Sequence, residues 1–267
     1  MDRLPLASSL FPPAVAVRAF RFGADPAAAL AQLRELDPRP LPDGLARAVQ
    51  QRRLDFCAGR YCAREALRAC APALADSSIP IGANREPVWP AGIVGSIAHS
   101  RGHAVAAVAA ASGVRAIGVD IEPWLDEGAP ARLAADLTVS GELAVLAEAT
   151  GWPPSRLLTL LFSAKETLFK CLFPQVQAYF GFQQARIVGV WPEAGTFTAT
   201  IETALGPWAG GDSFVGRYQC LDAVVVTSLT LVPGDPEGAA AGNRKGRSWA
   251  AAAKPGIRRR RPGPSAG

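Results

Sequence analysis

The sequence lacks any apolar run that approaches the roughly 20 residues of a transmembrane helix, which disfavours a membrane-spanning protein. It also has few cysteines, odd in number and without CxxC spacing: Cys57, Cys62, Cys70, Cys171 and Cys220. Such a set favours free, buried thiols over a disulfide framework or a zinc site. The stretch after Arg3 has the composition of a signal peptide, but three prolines interrupt it and no small-residue cleavage site follows. We therefore expect a cytoplasmic protein.

The main part of the chain lacks a charge excess, although the net charge of the 267 residues is +5. Residues 235–267 hold eight Lys or Arg and two acids, whereas the other 234 residues hold 20 basic and 21 acidic side chains. The basic character thus belongs to a tail rich in Gly, Pro, Ala and Arg, which we predict to be disordered. Its four consecutive arginines at 258–261 would suit an anionic surface, but a solvated extension is favoured. Neither a nucleic acid nor a membrane is expected as partner.

An apolar fraction of 49% and a charged fraction of 19% are typical of a globular protein with a sizeable core. Helices are predicted over 26–36, 43–70, 129–136, 140–149 and 154–173, the first capped by Asp25. Strands are predicted over 95–97, 103–109, 114–122, 185–191, 196–201, 213–220 and 223–231. This order predicts a mixed α+β fold with two similarly built halves. We place these halves at 1–112 and 113–234, followed by the tail at 235–267.

The segment FSAKETLFK at 162–170 places charges in an otherwise apolar helix. Apolar residues surround most of the predicted helix 154–173, which indicates burial on more than one side. Glu166 and Lys170 are four residues apart and share a helical face. Because a buried carboxylate without a compensating charge loses its ionised form, Glu166 requires a cation nearby.

A second pair of carboxylates, Asp120 and Glu122, lies two residues apart in the predicted strand 114–122, so both side chains point to one side of the sheet. Two neighbouring carboxylates repel each other unless a cation lies between them, and dense oxygen ligands suit Mg²⁺ or Mn²⁺. The alternative is a solvent-exposed acidic strand end. The pattern alone leaves both interpretations open.

Two further features suit an anion. Three arginines of the predicted helix 43–70 lie on one of its faces: Arg53, Arg60 and Arg64. This face is either solvated and paired with acids or binds phosphate. His99 lies at the edge of a predicted turn at 100–102, where Ser100 and Arg101 suit an anion. His103 completes an HxxxH pattern, but the turn argues against one helix presenting both histidines to a metal.

Three motifs occur in a fixed order: GSIAHS at 95–100, IGVDIE at 117–122 and FSAKETLFK at 162–170. Together they resemble the 4'-phosphopantetheinyl transferases that serve siderophore, nonribosomal peptide and polyketide synthases. The segments RRLDFCAGRYCAREAL at 52–67 and REPVWPAG at 85–92 resemble the enterobactin synthase component D branch of that family. Each motif alone is weak, but their combination is highly specific. The resemblance covers about residues 40–231.

The resemblance implies a fold of two similar subdomains in a pseudo-two-fold arrangement, each a helix plus a small antiparallel sheet. It further implies transfer of 4'-phosphopantetheine from coenzyme A to a serine of an apo acyl, peptidyl or aryl carrier protein, with release of adenosine 3',5'-bisphosphate. The implied cofactor is Mg²⁺, with Mn²⁺ as the alternative, and coenzyme A is the co-substrate. With two similar halves in one chain, a monomer would be sufficient.

By the same resemblance, three residues match the metal-binding acids of the family: Asp120, Glu122 and Glu166. Either Glu166 or a water on the metal would take the proton of the attacking serine. Lys170 matches the second lysine of the motif and would stabilise or protonate the departing phosphate. Lys165 matches the first lysine and would contact phosphate or pair with an acid, in a catalytic or a structural role.

The resemblance also assigns residues to the binding of coenzyme A. His99 and the adjacent Ser100 match the site for a coenzyme A phosphate, and three arginines are candidates for the 3'-phosphate: Arg53, Arg60 and Arg64. Arg85 and Pro87 match a basic residue and a proline near the adenine. Family members often have the basic residue directly before the proline, whereas Glu86 intervenes here.

Two other functions remain open on the sequence alone. A non-catalytic protein that binds coenzyme A or a carrier is disfavoured, because such a protein has no physical need for clustered acids and Lys170. A Mg²⁺-dependent phosphohydrolase built on the same carboxylates would release phosphate from coenzyme A without a protein acceptor.

Overall fold

The computed structural model describes residues 1–23, 25–128 and 131–234, and the predicted tail at 235–267 lies outside this part of the chain. Helices pack on two antiparallel sheets, one of four strands and one of five, which confirms the predicted mixed α+β fold. All five cysteines are free, as predicted, and Cys62 and Cys171 are fully buried. No helix in the described ranges combines the length and apolarity that a bilayer crossing requires.

The first sheet has the strand order β1-β2-β4-β3. Its strands are β1 (Asp2–Arg3), β2 (Ala16–Arg21), β3 (Ile93–Ser100) and β4 (His103–Ala110). Between β2 and β3 the chain forms α1 (Pro26–Leu36), the short α2 (Asp43–Ala46) and the long α3 (Gln50–Cys70). Asp25 caps α1 as predicted, since its Oδ1 accepts a hydrogen bond from the Ala27 N–H at 2.9 Å. Helix α3 covers this sheet by packing its apolar face on β2 and β4.

The second sheet has the strand order β5-β9-β8-β7-β6. Its strands are β5 (Ala116–Pro123), β6 (Ala185–Trp191), β7 (Thr196–Ile201), β8 (Ser213–Cys220) and β9 (Val224–Leu231). Three helices connect β5 to β6: α4 (Ala131–Leu137), α5 (Glu142–Thr150) and α6 (Pro154–Val176). Helix α6 lies on β5 and β9, so each sheet carries one long helix.

A shared core joins the two sheets. It contains Ala98, Val105 and Ala107 from the first sheet and Ile117, Val119, Ile121 and Val226 from the second. Strand β3 lies against β5, where the Ser96 Oγ accepts a hydrogen bond from the Val119 N–H at 3.1 Å. The boundary between the sheets therefore runs along the two strands that carry the GSIAHS and IGVDIE motifs.

Two predictions of local structure are wrong. The predicted helix 43–70 is divided into α2 and α3, because the Ala48 N–H donates to the Leu45 carbonyl at 3.1 Å and turns the chain there. Strand β2 was not predicted, since prolines interrupt the pattern of the N-terminal segment. That segment nevertheless belongs to the folded body, because Leu10, Phe11 and Val15 are buried in the shared core.

Strand β5 and helix α6 approach each other closely at Gly118. A Cβ atom at this position would overlap the carbonyl oxygen of Thr167 and lie 2.9 Å from the Cβ of Cys171. Only glycine therefore permits this spacing between the strand and the helix. The contact places the acidic end of β5 beside the polar face of α6.

We expect Gly118→Ala to lower the free energy of unfolding by about 1–3 kcal/mol, because the added methyl group overpacks the contact between β5 and α6. The matched control is Gly44→Ala, since no atom lies within 4 Å of a Cβ built at Gly44 in α2. Urea denaturation of both variants measures the difference. Equal unfolding midpoints for the two variants would contradict the close contact.

Candidate active site between the two sheets

The candidate site lies where β5 meets α6. The Lys170 Nζ donates a hydrogen bond to the Asp120 Oδ1 at 2.6 Å, which joins the helix to the strand. Asp120 is only 3% exposed, and its Oδ2 is buried without a hydrogen-bond partner among the described residues. A buried carboxylate oxygen without a partner is costly, so this atom marks a position suited to a further donor or cation.

Glu122 and Glu166 both feel the charges of Asp120 and Lys170. Burial and, to a smaller extent, the Asp120 charge raise the pKa of Glu122 to about 7, although the Ser100 hydroxyl opposes the shift. That hydroxyl donates to the Glu122 Oε2 at 2.9 Å across the boundary between β3 and β5. Burial also raises the pKa of Glu166, where Lys170 opposes the shift and Asp120 adds to it. The site therefore carries more carboxylate than one lysine can neutralise.

These acids fit a divalent cation by their chemistry. Within the described residues, no three His, Cys, Asp or Glu side chains converge into a ready-made metal cluster. The unpartnered Asp120 oxygen and the raised pKa values of Glu122 and Glu166 nevertheless indicate uncompensated negative charge. Carboxylate oxygens are hard ligands of the kind that Mg²⁺ and Mn²⁺ bind. The assignment of Asp120, Glu122 and Glu166 as metal ligands stays a prediction.

His99 extends the site onto the first sheet. Its Nδ1 lies 3.9 Å from the Asp55 Oδ2 of α3. Burial lowers the pKa of His99, the Asp55 carboxylate opposes this shift, and the charges of Lys170 and Arg52 add to it. The Lys170 charge thus reaches the imidazole, so His99 and helix α6 share one electrostatic environment.

Arg52 is a candidate that the sequence reasoning missed. The prediction selected the helical face of Arg53, Arg60 and Arg64, but α3 approaches His99 through Gly59, where a built Cβ would lie 3.7 Å from the His99 ring. Arg52 and Asp55 are seven and four residues before Gly59 and therefore share its face. A glycine inside a long helix was the available signal for this approach.

A cavity of about 470 Å³ opens between the halves of the molecule. It is lined by β3, β5, α6 and the loop around residue 85, and four predicted site residues lie on its wall: Arg85, Pro87, Glu166 and Lys170. Trp89, Phe169 and Phe173 supply apolar surface. The cavity thus combines cations, two acids and apolar walls, a mixture that suits a ligand with phosphates and a ring system.

Comparisons with known proteins assign the chain to a family. Residues 41–109 match the profile of the 4'-phosphopantetheinyl transferase N-terminal domain, and residues 116–220 match that of the 4'-phosphopantetheinyl transferase superfamily. The 4'-phosphopantetheinyl transferase Svp of Streptomyces mobaraensis is 37% identical over 191 residues, which cover 70% of this chain and 75% of Svp. The chain belongs to the 4'-phosphopantetheinyl transferase superfamily.

Two further relatives support both the superfamily and the branch. The 4'-phosphopantetheinyl transferase Npt of Nocardia iowensis is 30% identical over 232 residues, 78% of this chain and 95% of Npt. Enterobactin synthase component D of Salmonella typhi is 34% identical over 152 residues, 57% of this chain and 61% of that protein. This phosphopantetheinyl transferase is therefore similar both to Svp and Npt and to the enterobactin branch named from the motifs.

Two of the three arginines predicted as candidates for the 3'-phosphate make structural contacts, and their phosphate role stays a prediction. The buried Arg60 donates from Nε to the Ile79 carbonyl at 2.6 Å and stacks on the Phe56 ring at 4.8 Å. The buried Arg64 forms an ion pair with Asp37. Arg53 is half-buried, and its Nε lacks a hydrogen-bond partner in the described part of the chain. None of the three lines the cavity that contains Arg85 and Lys170.

Lys165, for which a catalytic or a structural role was predicted, lies in a buried polar network. Its Nζ donates to the Glu142 Oε2 and to the Leu137 carbonyl, each at 2.9 Å, and to the Phe182 carbonyl at 3.1 Å. Glu142 in turn accepts hydrogen bonds from the backbone N–H groups of Val139 and Ile187. All three Lys165 donors are engaged in a buried network of this transferase, which supports the structural alternative considered for this residue.

We expect Lys165→Met to lower the free energy of unfolding by about 3 kcal/mol, because Glu142 is left buried without its cation. The double variant Lys165→Met/Glu142→Gln removes that unpaired charge and should recover part of the loss. Urea denaturation compares the variants with the wild type. A Lys165→Met protein of unchanged stability would contradict the structural role.

Proposed function

We propose that this enzyme transfers 4'-phosphopantetheine from coenzyme A to a serine of an apo carrier protein and releases adenosine 3',5'-bisphosphate. The observation that carries the proposal is the convergence of Asp120, Glu166 and Lys170 beside a cavity of about 470 Å³. Membership in the transferase superfamily supports the reaction class. The acceptors are acyl, peptidyl or aryl carrier proteins of siderophore, nonribosomal peptide or polyketide synthases, and the enzyme acts as a cytoplasmic monomer.

Coenzyme A occupies the cavity in this proposal. Arg85, Pro87, Glu166 and Lys170 all line this cavity, and we assign the first two to the adenine. His99 of β3 and Arg52 of α3 lie where the helix approaches the strand, and they suit a phosphate group by charge and hydrogen bonding. The pyrophosphate then lies beside Asp120 and Lys170.

Mg²⁺, or Mn²⁺ in its place, is held by Asp120, Glu122 and Glu166 in the proposed site. When bound, the ion neutralises negative charge on the pyrophosphate oxygens during transfer. The fit rests on the unpartnered Asp120 Oδ2 and on the raised pKa values of the two glutamates.

The chemical step is a displacement at phosphorus. The serine Oγ forms a bond to the phosphorus that carries pantetheine, and the bond from this phosphorus to the bridging oxygen breaks. Glu166 accepts the serine proton, and burial raises its pKa, which makes the carboxylate a stronger base. Lys170 stabilises the charge that develops on the departing adenosine 3',5'-bisphosphate. In the resting enzyme, Asp120 holds the Lys170 ammonium in position for this role.

The proposal predicts that an apo carrier protein gains the mass of one phosphopantetheine when incubated with this enzyme, coenzyme A and Mg²⁺. Intact-mass spectrometry measures the gain. Phosphate release from coenzyme A without carrier modification would favour the phosphohydrolase alternative. Coenzyme A binding without modification of any apo carrier tested would favour a non-catalytic binding protein.

We expect Glu166→Gln to reduce kcat for transfer by about 10²- to 10⁴-fold, because the amide cannot accept the serine proton. Glu148→Gln is the matched control, since Glu148 is exposed on α5. Both variants should keep the circular dichroism spectrum of the wild type. Near-wild-type transfer by Glu166→Gln would contradict the assigned role of Glu166.

In the presence of coenzyme A, Mg²⁺ should raise the unfolding temperature of the wild type, because a cation that binds the folded state stabilises it. The rise should be much smaller in Asp120→Asn and unchanged in Asp222→Asn, whose side chain is exposed. Differential scanning fluorimetry with and without Mg²⁺ gives the comparison within each variant. An undiminished rise in Asp120→Asn would place the metal elsewhere.

A further inference from the structure

Glu86 lies on the cavity wall beside Arg85. The surrounding loop is a narrow turn whose two sides are joined by a β-bridge between Ile81 and Pro87. The Gly82 N–H donates to the Glu86 carbonyl at 2.8 Å, and the Arg85 N–H donates to the Gly82 carbonyl at 3.1 Å. The backbone at 82–86 therefore forms a hydrogen-bonded turn of its own at the cavity wall.

The Glu86 side chain takes part in this closure. Its Oε2 accepts a hydrogen bond from the Asn84 N–H at 2.8 Å, so the bond spans Arg85 from one side to the other. The carboxylate lies over Gly82, where an added Cβ would overlap its Oε1. Glu86 forms no ion pair with Arg85 in the described chain, so its carboxylate does not cover the guanidinium.

Arg85 adopts an unfavourable backbone conformation. Its φ is +69°, in the left-handed region that disfavours residues with a Cβ atom. Such a conformation persists only where neighbouring contacts fix it. The bond from the Asn84 N–H to Glu86 fixes the chain on both sides of Arg85, and the space over Gly82 permits that bond.

We propose that Glu86 is a positioning residue whose carboxylate closes the 82–86 turn and thereby holds Arg85 at the cavity. This inference rests on the proposed function, because Arg85 is the residue assigned to the adenosine end of coenzyme A. An acid beside an anionic ligand would otherwise repel it. Because Glu86 accepts a hydrogen bond from the Asn84 N–H, it stabilises the turn. An amide oxygen at this position can accept the same bond.

The test compares Glu86→Ala, Glu86→Gln and Gly82→Ala by calorimetric binding of adenosine 3',5'-bisphosphate and by transfer kinetics. We expect Glu86→Ala and Gly82→Ala to weaken binding and raise KM for coenzyme A by about fivefold, the size of one lost hydrogen bond. Their kcat should remain that of the wild type. Glu86→Gln should bind as well as the wild type or better, because its amide oxygen still accepts from the Asn84 N–H.

The Glu86→Ala substitution is also made in an Arg85→Ala enzyme, which lacks the side chain to be positioned. In that background Glu86→Ala should have no further effect on binding, because the group it positions is gone. Additive losses would overturn the proposal, as would unchanged or tighter binding by Glu86→Ala. A wild-type enzyme that neither binds the bisphosphate nor modifies a carrier would instead contradict the proposed function itself.

Discussion

The close approach of β5 to α6 at Gly118 determines where the charges of the site can lie. Because this glycine lets the strand contact the backbone of Thr167, Asp120 comes within 2.6 Å of Lys170. A wider separation would leave Asp120 buried without its ion pair, which is strongly unfavourable. The packing contact and the ion pair therefore stabilise each other, and both constrain where Glu166 lies.

Helix α6 presents Lys165 and Lys170 on different sides, each with its own carboxylate partner. Lys165 and Lys170 are five residues apart, so they point in directions that differ by about 140° at 100° per residue. Lys165 turns toward α4 and α5, where it contacts the Leu137 carbonyl and Glu142, while Lys170 turns toward β5 and the cavity. Glu166 lies on the cavity side. The two sets differ in their surroundings, because Lys165 has three buried polar partners, whereas Lys170 is paired with Asp120 at the edge of the cavity.

The fold class, the long helix of the FSAKETLFK motif and the strand of the IGVDIE motif could all be predicted, because hydrophobic periodicity and β-branched residues reveal such elements. The partner of each polar face could not be predicted in the same way. Periodicity showed that Arg53, Arg60 and Arg64 share a face of α3, but only the tertiary structure shows that Asp37 and the Ile79 carbonyl meet that face. The same limit applies to Lys165, whose partners lie 17 to 28 residues away in sequence.

The two sheets contribute unequal parts of one site. The first sheet and α3 supply His99, Ser100 and Arg52, whereas the second sheet and α6 supply the acids and Lys170. Two serines of β3 connect these parts, because Ser96 binds the backbone of β5 and Ser100 binds the Glu122 carboxylate. The position of the Glu122 side chain thus depends on a hydroxyl from the other half. In the proposed function coenzyme A contacts both halves at once, so the alignment of β3 with β5 would be part of the catalytic geometry.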